Sequence, residues 1–174
     1  MKFVLTVAAF LTVGFAAGQT PDLKTTLQTA LDDERHAHAL YQAVMLKYGE
    51  VRPFANIVRS EAMHMGMASD LLAKYGFKPA PDKFARKPKE TKEEFIARLE
   101  VPATYAAALR MAASLERQQG PLYDRLSEGA PEEVRTVFAK LKADSIERHL
   151  VAFERNLTRV PGRGPRHQGN RPPE

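Results

Sequence analysis

Five carboxylate or imidazole side chains interrupt the apolar faces of segments that have a helical repeat. They are Glu34, Glu61, His64, Glu116 and His149. Each stands where the three-to-four-residue spacing of apolar side chains predicts a core position. A buried carboxylate or imidazole is destabilising unless it is paired or binds a metal. The pattern therefore predicts a buried polar centre, either a metal site or a hydrogen-bonded network without metal.

The spacing of Glu61 and His64 favours the metal. Residues three apart lie on one face of a helix, with Cβ atoms about 5–6 Å apart. The imidazole can then ligate one cation while the carboxylate bridges to a second, and single glutamates from other helices complete the ligand set. Carboxylate and imidazole ligands suit iron or manganese, with zinc as a further alternative. The chain has no cysteine, which excludes thiolate ligation.

The chain also contains an internal repeat. Glu34 and Glu116 are separated by 82 residues, and so are Tyr41 and Tyr123. The two tyrosines have two interpretations: amphipathic core residues, or partners that hydrogen-bond to the ligands or pass electrons. His38, one turn after Glu34, is a candidate additional ligand, whereas His36 is predicted to face solvent.

The repeat has a gap at Ile146. A complete six-ligand site would have a glutamate three residues before His149, as Glu61 precedes His64, but that position is Ile146. At about 100° per residue, Asp144 is predicted to lie well around the helix from the site. The sub-site of His149 is therefore expected to have fewer anionic ligands and a lower metal affinity than that of His64.

The positioning elements are predicted to be all α-helical. Apolar periodicity predicts four long helices near residues 21–48, 53–75, 102–127 and 131–158. The first pair and the last pair are joined by short turns around Gly49 and Gly129, whereas the connection 76–100 is long and contains a capping box at Thr91. Two short connections around one long crossover between helices 2 and 3 are typical of a ferritin-like four-helix bundle.

Two pairs of motifs carry a resemblance to known families. Residues 50–57 lead to the Glu61/His64 motif at 60–65, and residues 122–126 lead to the His149 motif at 148–153. With the ligand pattern, they resemble the ferritin-like carboxylate di-metal proteins, in particular an uncharacterised rubrerythrin-related domain-of-unknown-function family. The resemblance covers Asp22 to Arg159. It implies a ferritin-like bundle with an iron site, and it implies no particular substrate.

The ends of the chain differ from this body. Residues 1–18 have Lys2 before an apolar run and then small residues, the pattern of a cleaved signal peptide; an uncleaved anchor is the alternative. Residues 19–158 form the predicted bundle. Residues 159–174 are predicted to be a disordered basic tail rich in Pro, Gly and Arg. The sequence thus predicts a secreted or periplasmic protein with no stable membrane anchor after cleavage.

The distribution of charged residues limits the classes of binding partner. The formal charge is +5, but four arginines lie in the last sixteen residues, so the body is nearly neutral. A neutral body is a poor nucleic-acid surface, and no nucleic acid is expected as a partner. Metal ions are the expected partners, and the sequence does not decide between a monomer and a homodimer. Three functions remain: an oxygen- or peroxide-handling di-metal oxidoreductase, a metal-sequestering protein without turnover, and a helical interaction module with a vestigial site.

Overall fold

A computed structural model describes residues 22–159, and this range is all-helical, with no strand. The predicted signal peptide and the residues from 160 onward lie outside the described residues. The α-helices are α1 (Leu23–Tyr48), α2 (Phe54–Lys74), α3 (Lys92–Arg98), α4 (Tyr105–Ser127), α5 (Glu132–Ala143) and α6 (Leu150–Arg159). Within residues 22–159, no helix has the length and apolar character needed to cross a membrane.

Side-chain caps fix where the helices begin. Asp22 accepts a hydrogen bond from the backbone N–H of Thr25 (3.1 Å) and starts α1. Thr104 caps α4 in the same way, so α4 begins at Tyr105 rather than at the predicted residue 102. Thr91 and Glu94 form the predicted capping box, which starts α3 inside the long connection.

The lengths of the connections agree with the sequence prediction. Residues 49–53 join α1 to α2, and residues 128–131 join α4 to α5. The connection from α2 to α4 spans residues 75–104 and contains α3, which packs against α1. Helix α1 packs along α2 and also contacts α4, while α4 packs against α5 and α6, and α2 contacts α5. Four long helical segments therefore surround a shared interior.

The predicted fourth helix contains a π-helical segment. A π-helical segment, Asp144–His149, separates α5 from α6, and the N–H of Leu150 donates to the carbonyl of Ser145, five residues earlier. A π turn holds more residues than an α turn, so positions after it are rotated relative to an ideal α-helix. Residues 132–159 are helical throughout, close to the predicted range 131–158, but the angular position predicted for Asp144 assumed α geometry and is wrong.

The apolar core has two layers. One layer contains Tyr41, Phe54 and Phe153, and the other contains Leu31 and Phe138, all fully buried. Along each long helical segment, the predicted polar residues fall between the stretches that belong to these two layers. The fold thus places the polar centre at mid-height, with apolar packing above and below it.

Candidate metal centre

The five predicted site residues are all buried, with 0–4% of their surface exposed. The structure brings them into two groups, in each of which one atom per residue lies within 4.8 Å of the others. The His64 sub-site consists of Glu34, Glu61 and His64, and the His149 sub-site consists of Glu61, Glu116 and His149. The convergence is a feature of the structure, whereas the role of these residues as metal ligands stays a prediction.

Glu61 is shared by the two sub-sites, one carboxylate oxygen facing each. His64 Nδ1 lies 3.1 Å from Glu61 Oε2 and 3.2 Å from Glu34 Oε2. His149 Nδ1 lies 2.9 Å from Glu61 Oε1 and 3.5 Å from Glu116 Oε2. The two imidazole rings are stacked, with centroids 5.4 Å apart. Both histidines therefore direct Nδ1 toward the carboxylate that lies between them.

The polar atoms of the His149 sub-site are left without hydrogen bonds. His149 Nδ1, Glu61 Oε1 and Glu116 Oε2 are buried, and none of the three has a hydrogen-bond partner. They are close together, yet not aligned to bond to each other. Buried polar groups almost always find partners in native proteins. One imidazole nitrogen and two carboxylate oxygens aimed at a common point are a donor set that a divalent cation satisfies.

This geometry corrects the expectation that the His149 sub-site has fewer anionic ligands. Each sub-site has one imidazole, one carboxylate of its own and one oxygen of Glu61. Ile146, at the gap in the repeat, packs on α4 instead: its Cδ1 lies 3.2 Å from where a Cβ would stand on Gly120. The absence of a glutamate at position 146 removes a second bridging ligand, but it leaves the two sub-sites matched.

The two tyrosines of the repeat bond to carboxylates on the opposite helix. Tyr41 on α1 donates to Glu116 Oε1 on α4 at 2.5 Å, and Tyr123 on α4 donates to Glu34 Oε1 on α1. Each hydroxyl occupies one oxygen of its glutamate and leaves the other facing the histidine. The interpretation of these residues as core tyrosines alone was therefore incomplete, since they also orient the site carboxylates.

Two acidic residues lie near the site: Asp144, for which the sequence prediction was wrong, and Asp33, which the sequence analysis did not identify. Asp144 is buried, and its Oδ2 lies 3.3 Å from His64 Nε2, because the π-helical segment rotates it toward α2. Asp33 accepts a hydrogen bond from Gln119 at 2.8 Å, beside Glu34. Apolar periodicity gave no signal for the π turn. Asp33 was not identified, because it lies about 100° around the helix from Glu34 and outside the apolar stripe.

Protons balance the buried carboxylates in the metal-free protein. Burial raises the pKa of Glu34 to about 7. Burial lowers the pKa of His64, but hydrogen bonds with Glu34 and Glu61 outweigh it and raise the pKa to about 10. For His149, the carboxylates of Glu116 and Glu61 likewise overcome burial and raise the pKa to about 9. The centre therefore holds protons that a cation would displace.

The remaining histidines of α1 lie outside the centre. His38 is half-buried and belongs to neither sub-site, so the structure does not support it as an additional ligand. His36 is half-buried against Phe84, with ring centroids 5.0 Å apart, rather than solvated as predicted.

Comparison with known proteins identifies first a shared fold and then a family. The crystal structure of a hypothetical protein from Methanococcus jannaschii DSM 2661 is similar, with a TM-score of 0.67 and 21% identity over 83% of this chain and 85% of that chain. At this identity the likeness concerns the fold alone. Residues 24–169 match the family described as "Uncharacterized protein domain (DUF2202)", and the chain belongs to that family. No curated protein matches the chain.

Proposed function

We propose that this protein is a ferritin-like metalloprotein that holds two divalent cations, iron in its working form, between the four long helical segments. The observation that carries the proposal is the His149 sub-site, where three buried polar atoms converge without hydrogen-bond partners. The short–long–short order of the connections supports the ferritin-like architecture.

The charge of the site suits two cations. Two divalent cations carry four positive charges, and Glu34, Glu61 and Glu116 supply three negative charges. These carboxylates, which are 0% exposed, would reduce the four positive charges of the pair to a net charge of +1. Neutralisation matters because an uncompensated charge is strongly unfavourable in a buried site. Carboxylate-rich ligands with one imidazole per cation favour iron or manganese over copper.

We further propose that the centre is a redox centre for dioxygen or peroxide. Iron would supply electrons by cycling between its ferrous and ferric states. The residues of the chain hold the ligands in place: Glu61 spans the two positions, and Tyr41 and Tyr123 fix the outer carboxylates. The depth of the site favours a resident centre over a rapidly exchanging store, and it favours small neutral oxidants over larger substrates.

Export of the protein is part of the proposal. It rests on the signal-peptide pattern of residues 1–18, where Lys2 precedes an apolar run that ends in small residues. A secreted or periplasmic location would place the centre where oxidants arrive from outside the cell.

Anaerobic iron loading followed by oxidant distinguishes turnover from sequestration. Protein loaded with ferrous iron is expected to develop a near-ultraviolet absorption band on addition of hydrogen peroxide or air, and a reductant should reverse it through repeated cycles. Iron-loaded His149→Gln protein, which has lost one ligand, should react more slowly. Stoichiometric iron binding with no reversible optical change would contradict the redox role and favour a sequestering protein.

A further inference from the structure

We infer that Asp144 is a positioning residue that fixes the proton of His64 on Nε2, and that it thereby makes the His64 sub-site the first to bind a cation. The inference rests on the proposed metal-binding function and extends it to the order in which the two matched sub-sites fill. Within residues 22–159, the surroundings of the two imidazoles differ most at their outer nitrogens.

The two nitrogens of His64 face different partners. Nδ1 faces Glu34 and Glu61 inside the sub-site, whereas Nε2 lies 3.3 Å from Asp144 Oδ2 and 3.3 Å from Ser60 Oγ. A neutral imidazole carries one N–H, and a nitrogen that binds a cation must be the unprotonated one. Since Nδ1 faces the carboxylates, the competent form has its proton on Nε2, donated to Asp144.

The carboxylate of Asp144 is held where it can accept a hydrogen bond from the Nε2–H group of His64. Its Oδ2 accepts a hydrogen bond from Lys140 Nζ at 2.8 Å, and its Oδ1 accepts one from Arg148 Nη1 at 3.1 Å. Its side chain is only 11% exposed. The cationic side chains of Lys140 and Arg148 stabilise the negatively charged form of the Asp144 carboxylate. An ionised carboxylate can only accept, so it selects the N–H on Nε2.

His149 has no comparable support among the described residues. Its Nδ1 lies 2.9 Å from Glu61 Oε1, and no side chain of residues 22–159 is placed to accept a hydrogen bond from its Nε2. The internal repeat relates His149 to His64 with an offset of 85 residues, and the same offset relates Asp144 to Arg59, which is exposed and offers no acceptor. The carboxylates that face His149 Nδ1 favour a proton there, and no described side chain favours the tautomer that leaves Nδ1 free for a cation.

The difference has a predictable size. Outer carboxylates that receive the second N–H of a ligating histidine typically account for a 10–100-fold change in metal affinity. With otherwise matched ligands, the His64 sub-site should bind the first cation about 10–100-fold more tightly than the His149 sub-site binds the second. The two sub-sites are thus expected to differ in metal affinity because Asp144 accepts a hydrogen bond from His64, and not because position 146 lacks a glutamate.

Zinc titration of the full chain, followed by ¹⁵N-histidine NMR, tests the inference. Zn²⁺ is diamagnetic, so long-range ¹H–¹⁵N correlations report which ring nitrogen is metallated and which carries the proton. In wild-type protein, the His64 signals should change to the Nε2–H form with the first equivalent of Zn²⁺, and the His149 signals with the second.

The matched variants are Asp144→Asn and Glu147→Gln, both in the π-helical segment; Glu147 is exposed and outside the centre. Asp144→Asn should lower the first affinity about 10–100-fold and abolish the filling order, whereas Glu147→Gln should leave both unchanged. The filling order in wild-type protein decides the question even if Asp144→Asn does not fold. Simultaneous filling, or His149 first, would overturn the inference and leave the proposed function intact; no Zn²⁺ bound at all would overturn both.

Discussion

Replacing Glu61 by glutamine is expected to abolish tight metal binding at both sub-sites. Its two oxygens face the two histidines, at 3.1 Å and 2.9 Å from their Nδ1 atoms. An amide offers one weak acceptor oxygen and a donor nitrogen, so at least one sub-site faces an N–H₂ group instead of an anion. The substitution also removes the negative charge of Glu61, so only Glu34 and Glu116 would remain to neutralise two divalent cations. Each affinity should fall at least about 100-fold, the upper end for outer-sphere partners.

Matched variants separate the shared ligand from the unshared ligands. Glu34→Gln and Glu116→Gln should each impair one sub-site, so calorimetric titration with Mn²⁺ or Zn²⁺ should find one tight cation per chain. Glu147→Gln, an exposed residue of the π-helical segment, should retain two. A Glu61→Gln protein that still bound one cation with wild-type affinity would show that Glu61 does not serve both positions.

Metal-free protein is expected to become less stable as the pH rises from 6.5 to 9. The pKa values of His149 and His64 are raised to about 9 and about 10 in the folded state, so the folded state binds more protons than the unfolded state. The stability that these protons contribute is fully present below pH 6.5 and is lost as the pH rises through the folded pKa values.

Two further carboxyl groups, that of buried Glu34 and that of half-buried Asp33, shift stability in the same direction. Burial raises the pKa of Glu34 to about 7 and that of Asp33 to about 8, so the stability linked to their protons is lost between about pH 4 and these values. Asp144, with its pKa lowered to about 2, acts in the opposite sense only below about pH 4. Since one pKa unit corresponds to about 1.4 kcal/mol, the free energy of unfolding should fall by at least about 2 kcal/mol between pH 6.5 and 9.

A bound cation should reverse this trend. The cation replaces the protons, so its affinity rises with pH, and the stabilisation that it provides should be larger at pH 9 than at pH 6.5. Urea unfolding of chelator-treated protein at the two pH values, with and without Zn²⁺, measures both effects. His36→Gln is the control, because the pKa of His36 is lowered by burial and its loss should not remove the decrease. A metal-free stability that is constant or increases over this range would contradict the assignment of protons to the centre.

Much of the fold and the five central residues could be predicted from the sequence, for a physical reason. A carboxylate such as Glu116 within an apolar helical stripe can only be buried, and its helix fixes the direction in which it points. The long connection 76–100 between two tight turns likewise restricts the topology. These features depend on local periodicity and chain length, which a single sequence contains.

The rest of the centre depends on packing between helices. The π turn at Asp144–His149 adds less than one residue per turn and leaves no mark in the apolar pattern, so the inward position of Asp144 was missed. The bonds of Tyr41 and Tyr123 to glutamates of the opposite helix also required the packed structure. A bridging role for Glu61 was predicted from its spacing with His64, but the approach of His149 Nδ1 to the second oxygen of Glu61 required the packed structure.

The most direct test of the two-cation centre is anomalous diffraction from crystals of protein purified without chelator and soaked in Zn²⁺. The account predicts two anomalous peaks per chain on either side of the Glu61 carboxylate, each about 2.0–2.1 Å from Nδ1 of His64 or His149. A single peak near His64 at limiting Zn²⁺, joined by the second at excess, would agree with the inferred order of filling. The absence of density between these residues at saturating Zn²⁺, with the five side chains ordered as described, would contradict the account.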